Sequence, residues 1–561
     1  MLMLVATVLP VAGTLNKPET LGRQSNLSVD NNNYFSSILD IVKGDRGTSA
    51  NDDWPMFHHD PQHTGYSTAL APSSSHVLWK HATNHMNDLP SPIVANDKLY
   101  MVITNLSKNN EPFFQAKTPI DISKNPFEQP CMIPGKSLLY CLDAGNGTEQ
   151  WKISLDTIMC ESTPAFADNK IFIGGDDALY CYDALTGTKI WNTTPIYYAS
   201  YSSPCVTESR VYCGGFNGTI ERGRIYSIDA ANGDIKWTYV LGYELIYYTS
   251  PAFADGKIYA TLLNISSGDI NLLCLDAAAG TYLWSYSLGG GYSYYGAFQT
   301  PTVTNGKVYC ASLNSTTNKG ELYCLNAATG AKIWTYILGI DETMFFSSPA
   351  VAYGKYFAIP FNFTYGENRL LCLDATTGGF IWNSSIETYG IASSPAIADN
   401  KIYFNTGDQL YCYDVTDGSI LWSYTLEAGS YSPPAISNER VYTADRYGNI
   451  YAFEDVLKVI THGGIARSTA RLTNRGLTNL SNITWTFTAT GNRLFGILGK
   501  INVSTNGTIS LLKPGDTTVI SVKPLLGFGK ANMTLQIVLP DCVIKKTWNA
   551  LLLGFLVINI K

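Results

Sequence analysis

The sequence predicts an all-β chain: an eight-bladed β-propeller closed by an N-terminal strand, followed by a small immunoglobulin-like β-sandwich. Three observations predict it. A four-strand unit recurs eight times between residues 79 and 454. The eighth copy lacks the Trp that ends the others, while an unmatched Trp79 stands before the first. After Glu454 the repeat gives way to a different alternation. The resulting divisions are a signal-like segment at 1–15, a polar spacer at 16–50, the propeller at 51–456 and the sandwich at 457–561.

The unit is plainest between Ser394 and Thr425, where SPAIA, KIYFN, LYCYD and ILWSY are four short apolar runs separated by turn residues. Runs of that length joined by tight turns make one antiparallel sheet with its strands in chain order. Such a sheet has two apolar faces and needs neighbours on both. The chain repeats the unit. Ser-Pro or Thr-Pro opens a strand at Pro92, Pro164, Pro204, Pro251, Pro301, Pro349, Pro395 and Pro433. An acidic or amide residue follows at Asp143, Asp183, Asp229, Asp276, Asn326, Asp374, Asp414 and Glu454. Gly comes four residues later, at Gly147 through Gly418, and Trp four after that, at Trp151 through Trp422. Four strands at intervals of roughly 40 to 50 residues are the mark of propeller blades.

The chemistry of each position accounts for its residue. The Asp side chain bonds the backbone of the turn that follows, and the Gly takes the positive φ that turn needs. The Trp is too large for one sheet and is expected to wedge against the next blade. The missing eighth Trp is supplied by HVLWKH, whose strand is expected to complete the last blade and remove the open edge between first and last.

The motif, written CLDAGNGTEQW, CYDALTGTKIW, CLNAATGAKIW and CYDVTDGSILW, resembles the pyrroloquinoline-quinone (PQQ) repeat family of eight-bladed propellers over about residues 79–454. The resemblance implies the fold. It leaves activity open, because the family mixes quinone-dependent dehydrogenases with non-catalytic scaffolds.

Composition narrows the partners. Lys and Arg number 38 against 45 Asp and Glu, the net charge is −7, and the basic residues never cluster, which argues against nucleic acid. Residues 1–13, MLMLVATVLPVAG, read as the apolar core of an export signal, and fourteen Asn-X-Ser/Thr sites, including Asn105, Asn192, Asn264, Asn362 and Asn532, agree with a glycosylated extracellular or cell-surface protein. The terminal ALLLGFLVINI is shorter than the ~20 apolar residues of a membrane span and is read as a sandwich strand. The expected partner is an extracellular protein, peptide or glycan, bound by a monomer.

Several residues stand out. DWPMFHHDPQHTGYS, residues 53–67, carries His58, His59, Asp60 and His63, side chains of the kind zinc takes. They lack a two-His helical spacing, and related propellers carry a similar lead-in that packs across the ring, so no metal is assigned. Six cysteines, Cys141, Cys181, Cys274, Cys324, Cys372 and Cys412, share one repeat position and are read as small buried core residues. Cys131 and Cys160 fall in loops beside blade 1 and are expected to form a disulfide that pins a Pro-rich insertion at 105–135. The segments joining successive blades carry Tyr201, Tyr247, Tyr248, Tyr294, Tyr295, Phe345, Phe346 and Tyr431. Strand count puts them near one mouth of the channel, either as a ligand-binding patch or packed between blades.

Two functions compete. A PQQ- and calcium-dependent dehydrogenase is implied by part of the family, but the adjacent Cys-Cys pair typical of such enzymes is absent and Glu161, Glu244, Asp341 and Glu342 are scattered candidates for calcium ligands or a base. A non-catalytic binding scaffold is the favoured reading, with no cofactor and no catalytic residue expected.

Overall fold

The computed structural model describes residues 53–560 apart from 87–89, 105–136, 157–160, 198, 200–201, 218–221, 243, 247–248, 265–266, 291–298, 315, 463, 466–467, 477–478, 493–499, 522–526, 540–542 and 555. The described residues are strands and turns without an α-helix.

Eight antiparallel sheets follow one another from Ile93 to Glu454. The seventh has the expected form: Ala396–Ala398, Lys401–Thr406, Gln409–Asp414 and Ile420–Thr425 pair in chain order. The first (Ile93–Ala95 to Glu149–Ser154), second (Ala165–Ala167 to Lys189–Thr193), third (Cys205–Val206 to Ile235–Val240) and fifth (Thr302–Thr304 to Lys332–Ile340) repeat it. The fourth and sixth add the short strands Glu244–Leu245 and Glu342–Thr343. The eighth consists of Ala435–Ser437, Arg440–Ala444 and Asn449–Glu454, with Val77–Ala82 as its fourth strand. Trp79 sits opposite Ala452 in that pairing, as its position in the repeat requires.

Four of the seams between sheets share the same glue, while at the other four the indole of Trp151, Trp191, Trp382 or Trp422 packs without a hydrogen bond. Asp374 Oδ1 accepts the amides of Thr376 and Thr377, folding the turn that presents the Ala375 carbonyl outward. Two side chains of the fifth sheet donate to that carbonyl: Tyr309 through its hydroxyl at 3.0 Å and Trp334 through Nε1 at 3.2 Å. The Trp334 ring then lies over Gly378, whose φ is +72° and whose place leaves no room for a Cβ, which would come within 2.7 Å of the indole. The Gly is thus required twice, for its φ and for the ring above it. Tyr259 with Trp284 on Ala327, and Tyr212 with Trp237 on Ala277, do the same. Tyr442 and Trp79, both of the eighth sheet, donate to Ala144 of the first.

The repeat-position cysteines are buried free thiols, as are Cys205, Cys213 and Cys310. Burial pushes Cys141 up to about 12, so at neutral pH it packs as an apolar group.

After Asp455 the chain builds two further sheets, Leu457–His462 with Thr469–Asn474 and Thr517–Ser521, and a six-stranded one running from Gly464–Ile465 to Lys500–Leu512. Leu457, Leu472 and Ile520 of the first share a core with Phe487, Met533, Leu535 and Ile544 of the second, which makes a β-sandwich. The apolar end of the chain forms Val543–Gly554 and Leu556–Ile560 within it. Among the described residues no helix is long and apolar enough to cross a membrane.

Candidate functional site: the lead-in segment and the face of the joining segments

Residues 54–67 bond to the first strand of sheet after sheet. Trp54 exchanges both backbone bonds with Val94, at 2.8 and 2.9 Å. The Pro55 carbonyl accepts from Phe166 N, Pro61 from Phe253 N, Gln62 from Val303 N, Thr64 from Val351 N and Gly65 from Ile397 N, all between 2.7 and 3.0 Å. Cys205 Sγ of the third sheet is 3.5 Å from the Pro61 oxygen. Seven of the eight first strands therefore meet this one segment. It behaves as the structural lead-in the sequence suggested, with a register that the sequence did not disclose.

Its tight centre is built on Asp60. The carboxylate accepts the Thr64 amide at 2.9 Å and the Thr64 hydroxyl at 2.5 Å, and His59 Nδ1 lies 3.4 Å away. Burial opposes ionisation, yet the bonds from His59 and Thr64 outweigh it and hold the carboxyl below its ordinary range. His58 and His63 are 2% and 1% exposed. His58 Nδ1 donates to the His63 carbonyl at 3.3 Å, which leaves Nε2 as the unprotonated nitrogen. Desolvation lowers His58 to about 4 and His63 to about 3, so both rings are neutral. Among the described residues no group of three or more His, Cys, Asp or Glu comes together as a metal site.

Above the lead-in, the Ser or Thr before each strand-opening Pro forms a chain of bonds from sheet to sheet. Ser91 N donates to Thr163 Oγ1, Thr163 N to Ser203 Oγ, Ser203 N to Ser250 Oγ, Ser250 N to Thr300 Oγ1, Thr300 N to Ser348 Oγ and Ser348 N to Ser394 Oγ, at 2.8 to 3.1 Å. Ser432 Oγ donates to the Pro90 carbonyl, joining the eighth sheet to the start of the first. The recurring Ser/Thr-Pro dipeptide announced a strand start. That the hydroxyl belongs to the preceding sheet's backbone was missed, although its presence at every repeat was the signal.

The joining segments lead into this belt. Of the aromatic residues singled out in them, Phe345 is 1% exposed and packs with Phe346, Phe361 and Phe363; Tyr431 is 8% exposed, with the Arg446 guanidinium 5.3 Å from its ring centre. Phe346 is half-buried, at φ +56°. Tyr201, Tyr247, Tyr248, Tyr294 and Tyr295 lie outside the described residues, as do Cys131, Cys160 and the Pro-rich insertion. Arg446 carries no repeat signature and was not anticipated.

The candidate acids do not converge. Glu342 makes a bidentate pair with Arg369 at 2.8 and 3.0 Å. Asp341 accepts from Asn318 and Thr364, clamping the hairpins of the fifth and sixth sheets. Glu244 accepts from Asn271 at 2.6 Å, and Glu161 is half-buried at the start of the second sheet.

A family profile described as outer membrane protein assembly factor BamB matches residues 135–262, 244–388 and 366–458, which together span more than half of the chain. The chain belongs to this family. The PQQ-type repeat of the BamB family therefore accounts for the recurring Asp, Gly and Trp positions. No curated protein matches in sequence. Among solved structures, a europium-containing methanol dehydrogenase is similar at a TM-score of 0.54 and 13% identity, covering 73% of this chain and 90% of its own. The quinohemoprotein alcohol dehydrogenase of Comamonas testosteroni is similar at 0.54 and 14%, covering 76% and 84%. BamB of Moraxella catarrhalis gives 0.49 and 14%, covering 68% and 100%. At these identities the likeness to the dehydrogenases establishes a β-propeller fold and nothing of their chemistry.

Proposed function

We propose that the chain is a closed eight-bladed propeller with an immunoglobulin-like sandwich at its end, exported, monomeric, and used as a non-catalytic scaffold that binds an extracellular protein, peptide or glycan. Closure is supported by the Val77–Ala82 strand in the eighth sheet and by the bonds of Trp79, Tyr442 and Ser432 to the first sheet and its approach. Export rests on the signal-like start and the sequons. The family description, an assembly factor, agrees with a protein-binding role.

The observation that carries the scaffold reading is the commitment of three of the four candidate acids to structural bonds. A quinone-and-calcium site needs several oxygen ligands around one ion and a free carboxylate base. Here Glu342 is held by Arg369, Asp341 by two hairpins and Glu244 by Asn271, and no two cysteines are adjacent in the chain. The described residues do not fit that group, and no chemical step is drawn through it. The binding site is proposed at the joining segments, whose sequence carries Tyr201, Tyr247, Tyr248, Tyr294 and Tyr295 beside the half-buried Phe346, since aromatic rings with hydroxyl groups suit a glycan or an extended peptide.

Incubating the purified protein with PQQ and calcium, followed by gel filtration, tests the reading. We expect no quinone absorbance to travel with the protein. Stoichiometric retention would instead support the PQQ- and calcium-dependent dehydrogenase. On glycan and peptide arrays, replacing Tyr247 and Tyr248 with Ala is expected to lower binding at least tenfold; unchanged binding would move the site elsewhere.

A further inference from the structure

The lead-in is held by an unusual kind of contact. Its carbonyls accept from the first strands at Phe166, Phe253, Val303, Val351 and Ile397, and only Trp54 and Ser67 give an amide back, to Val94 and Ile397. No described disulfide ties it down. At its centre are two buried rings, and His58 Nε2 and His63 Nδ1 have no hydrogen-bond partner. A proton added to His58 Nε2 would therefore sit as a donor with nothing to receive it, in a site too dry to hydrate the charge.

We propose that residues 53–67 form an acid-released plug, seated against the first strands at neutral pH and leaving them in acid, so that a rim of strand N–H groups becomes free for another extended chain. The plug's place on the channel axis rests on the eight-bladed reading; its release does not depend on any ligand of the joining segments.

The surroundings favour release over accommodation. Phe57 stacks on His58 at 4.7 Å and meets His63 edge-on at 5.8 Å. From the sheets, Ala350 and Pro395 pack on Gly65 beside His58, Thr302 donates to the His63 carbonyl, and Cys205 faces Pro61 with its thiol pushed up by burial. None of these is anionic. Asp60, the one carboxylate close enough to favour either imidazolium, is already bonded to Thr64 and His59. Both rings have seated pKa values, about 4 and about 3, below the ordinary 6.5. Their neutral seats are therefore fully favourable above pH 6.5 and weaken as pH falls toward those values. Each added proton is taken up by the released form in preference to the seated one. At pH 4.5 this amounts to roughly a hundred-fold shift toward release for each ring.

Hydrogen exchange on the full chain at pH 7.0 and 4.5, corrected for intrinsic rates, tests this. The amides of Phe253, Val303, Val351 and Ile397 are expected to lose on the order of ten-thousand-fold protection at pH 4.5. Those of Cys274, Cys324 and Cys372, which lie inside the same sheets, should keep theirs. A neutral pair, His58→Asn with His63→Gln, should hold the first-strand amides protected at both pH values. Equal protection of those amides in the unaltered protein at the two pH values overturns the proposal. So does simultaneous loss from every strand, which is acid unfolding of the whole propeller. If the double variant fails to fold, the contrast between first-strand and interior amides in the unaltered protein decides alone.

Discussion

The propeller sheets and the C-terminal sandwich are both antiparallel and both well buried, yet they are held by opposite means. Between sheets a few contacts recur: a Gly under the indole of the preceding sheet's Trp, a Ser or Thr passing a bond along and, at four seams, an Ala carbonyl that takes both a Tyr and a Trp. The sandwich has one core, shared by two sheets, and strands of up to 13 residues. A repeat spreads its stability over nearest-neighbour terms, whereas a single core is lost as a unit. A local change in the propeller should thus be felt at one seam, unless that seam is the one that closes the set.

The closing seam gives the largest expected effect. Removing residues 76–83 deletes the fourth strand of the eighth sheet and takes Trp79 from above Gly147. It also exposes a sheet edge and an apolar socket. We expect a loss of about 5 kcal/mol or more and a sharply lower thermal midpoint. An unaltered melting curve would sink both closure and the eight-blade count.

How much of this was legible follows from the same contrast. Asp, Gly and Trp at fixed spacing exposed the sheets, because each residue acts within or next to its own repeat and the pattern is read eight times over. Trp79 could be assigned to the far end of the chain because its absence from the eighth repeat left a gap of known shape. The sandwich could be read only as alternation, and nothing in ITWTFTAT says that Leu480–Asn492 lies between Lys500–Leu512 and Gly527–Val538. The lead-in was legible as packing but not in register, since it meets the first strands mainly through backbone carbonyls, which any residue carries. The joining-segment aromatics were ambiguous for a further reason. A Tyr or Phe before a Pro fits either a mouth or a core, and Phe345 and Tyr431 are buried.

The joint between the two regions is the second test. Glu454 stands where the other repeats carry Asp or Asn, and its longer side chain reaches two arginines. Arg440 of its own sheet donates Nε to Oε2 at 2.8 Å, and Arg475 of the sandwich donates to Oε1 and, at 3.2 Å, to Glu439. The carboxylate is 3% exposed while the arginines are partly open to water. Removing it should cost about 2 to 3 kcal/mol, below the value for a fully buried pair. Glu454→Gln is expected to lower the urea midpoint and make the sandwich exchange its amides independently of the propeller. If both regions still unfold in one step at the same midpoint, the joint is decorative.

The smallest effect discriminates most finely, because it removes one atom from a seam without touching its core. Ser348 Oγ accepts the Thr300 amide at 3.0 Å, and Ser348 is only 3% exposed. Its own amide bonds Ser394 Oγ at 2.8 Å and is unaffected by a change of side chain. Ser348→Ala keeps nearly the same volume, so packing of the fifth on the sixth sheet is preserved, and only a buried amide is left without its acceptor. The cost of that orphan is about 1 to 2 kcal/mol. Ser250 does the same at an earlier seam, accepting from Ser203 at 2.9 Å. Both positions bond Thr300, Ser250 through its own amide and Ser348 through its hydroxyl, so the double variant is expected to depart from the sum of the single losses. Ser419→Ala, in an exposed turn on Asp417, supplies the control and should cost less than either. The measurement is the urea midpoint of each variant at pH 7. Equal midpoints for Ser348→Ala and Ser419→Ala would mean that water or a shifted backbone satisfies the Thr300 amide. The hydroxyl belt would then hold nothing, and the Ser/Thr of each repeat would owe its place to strand initiation before Pro alone.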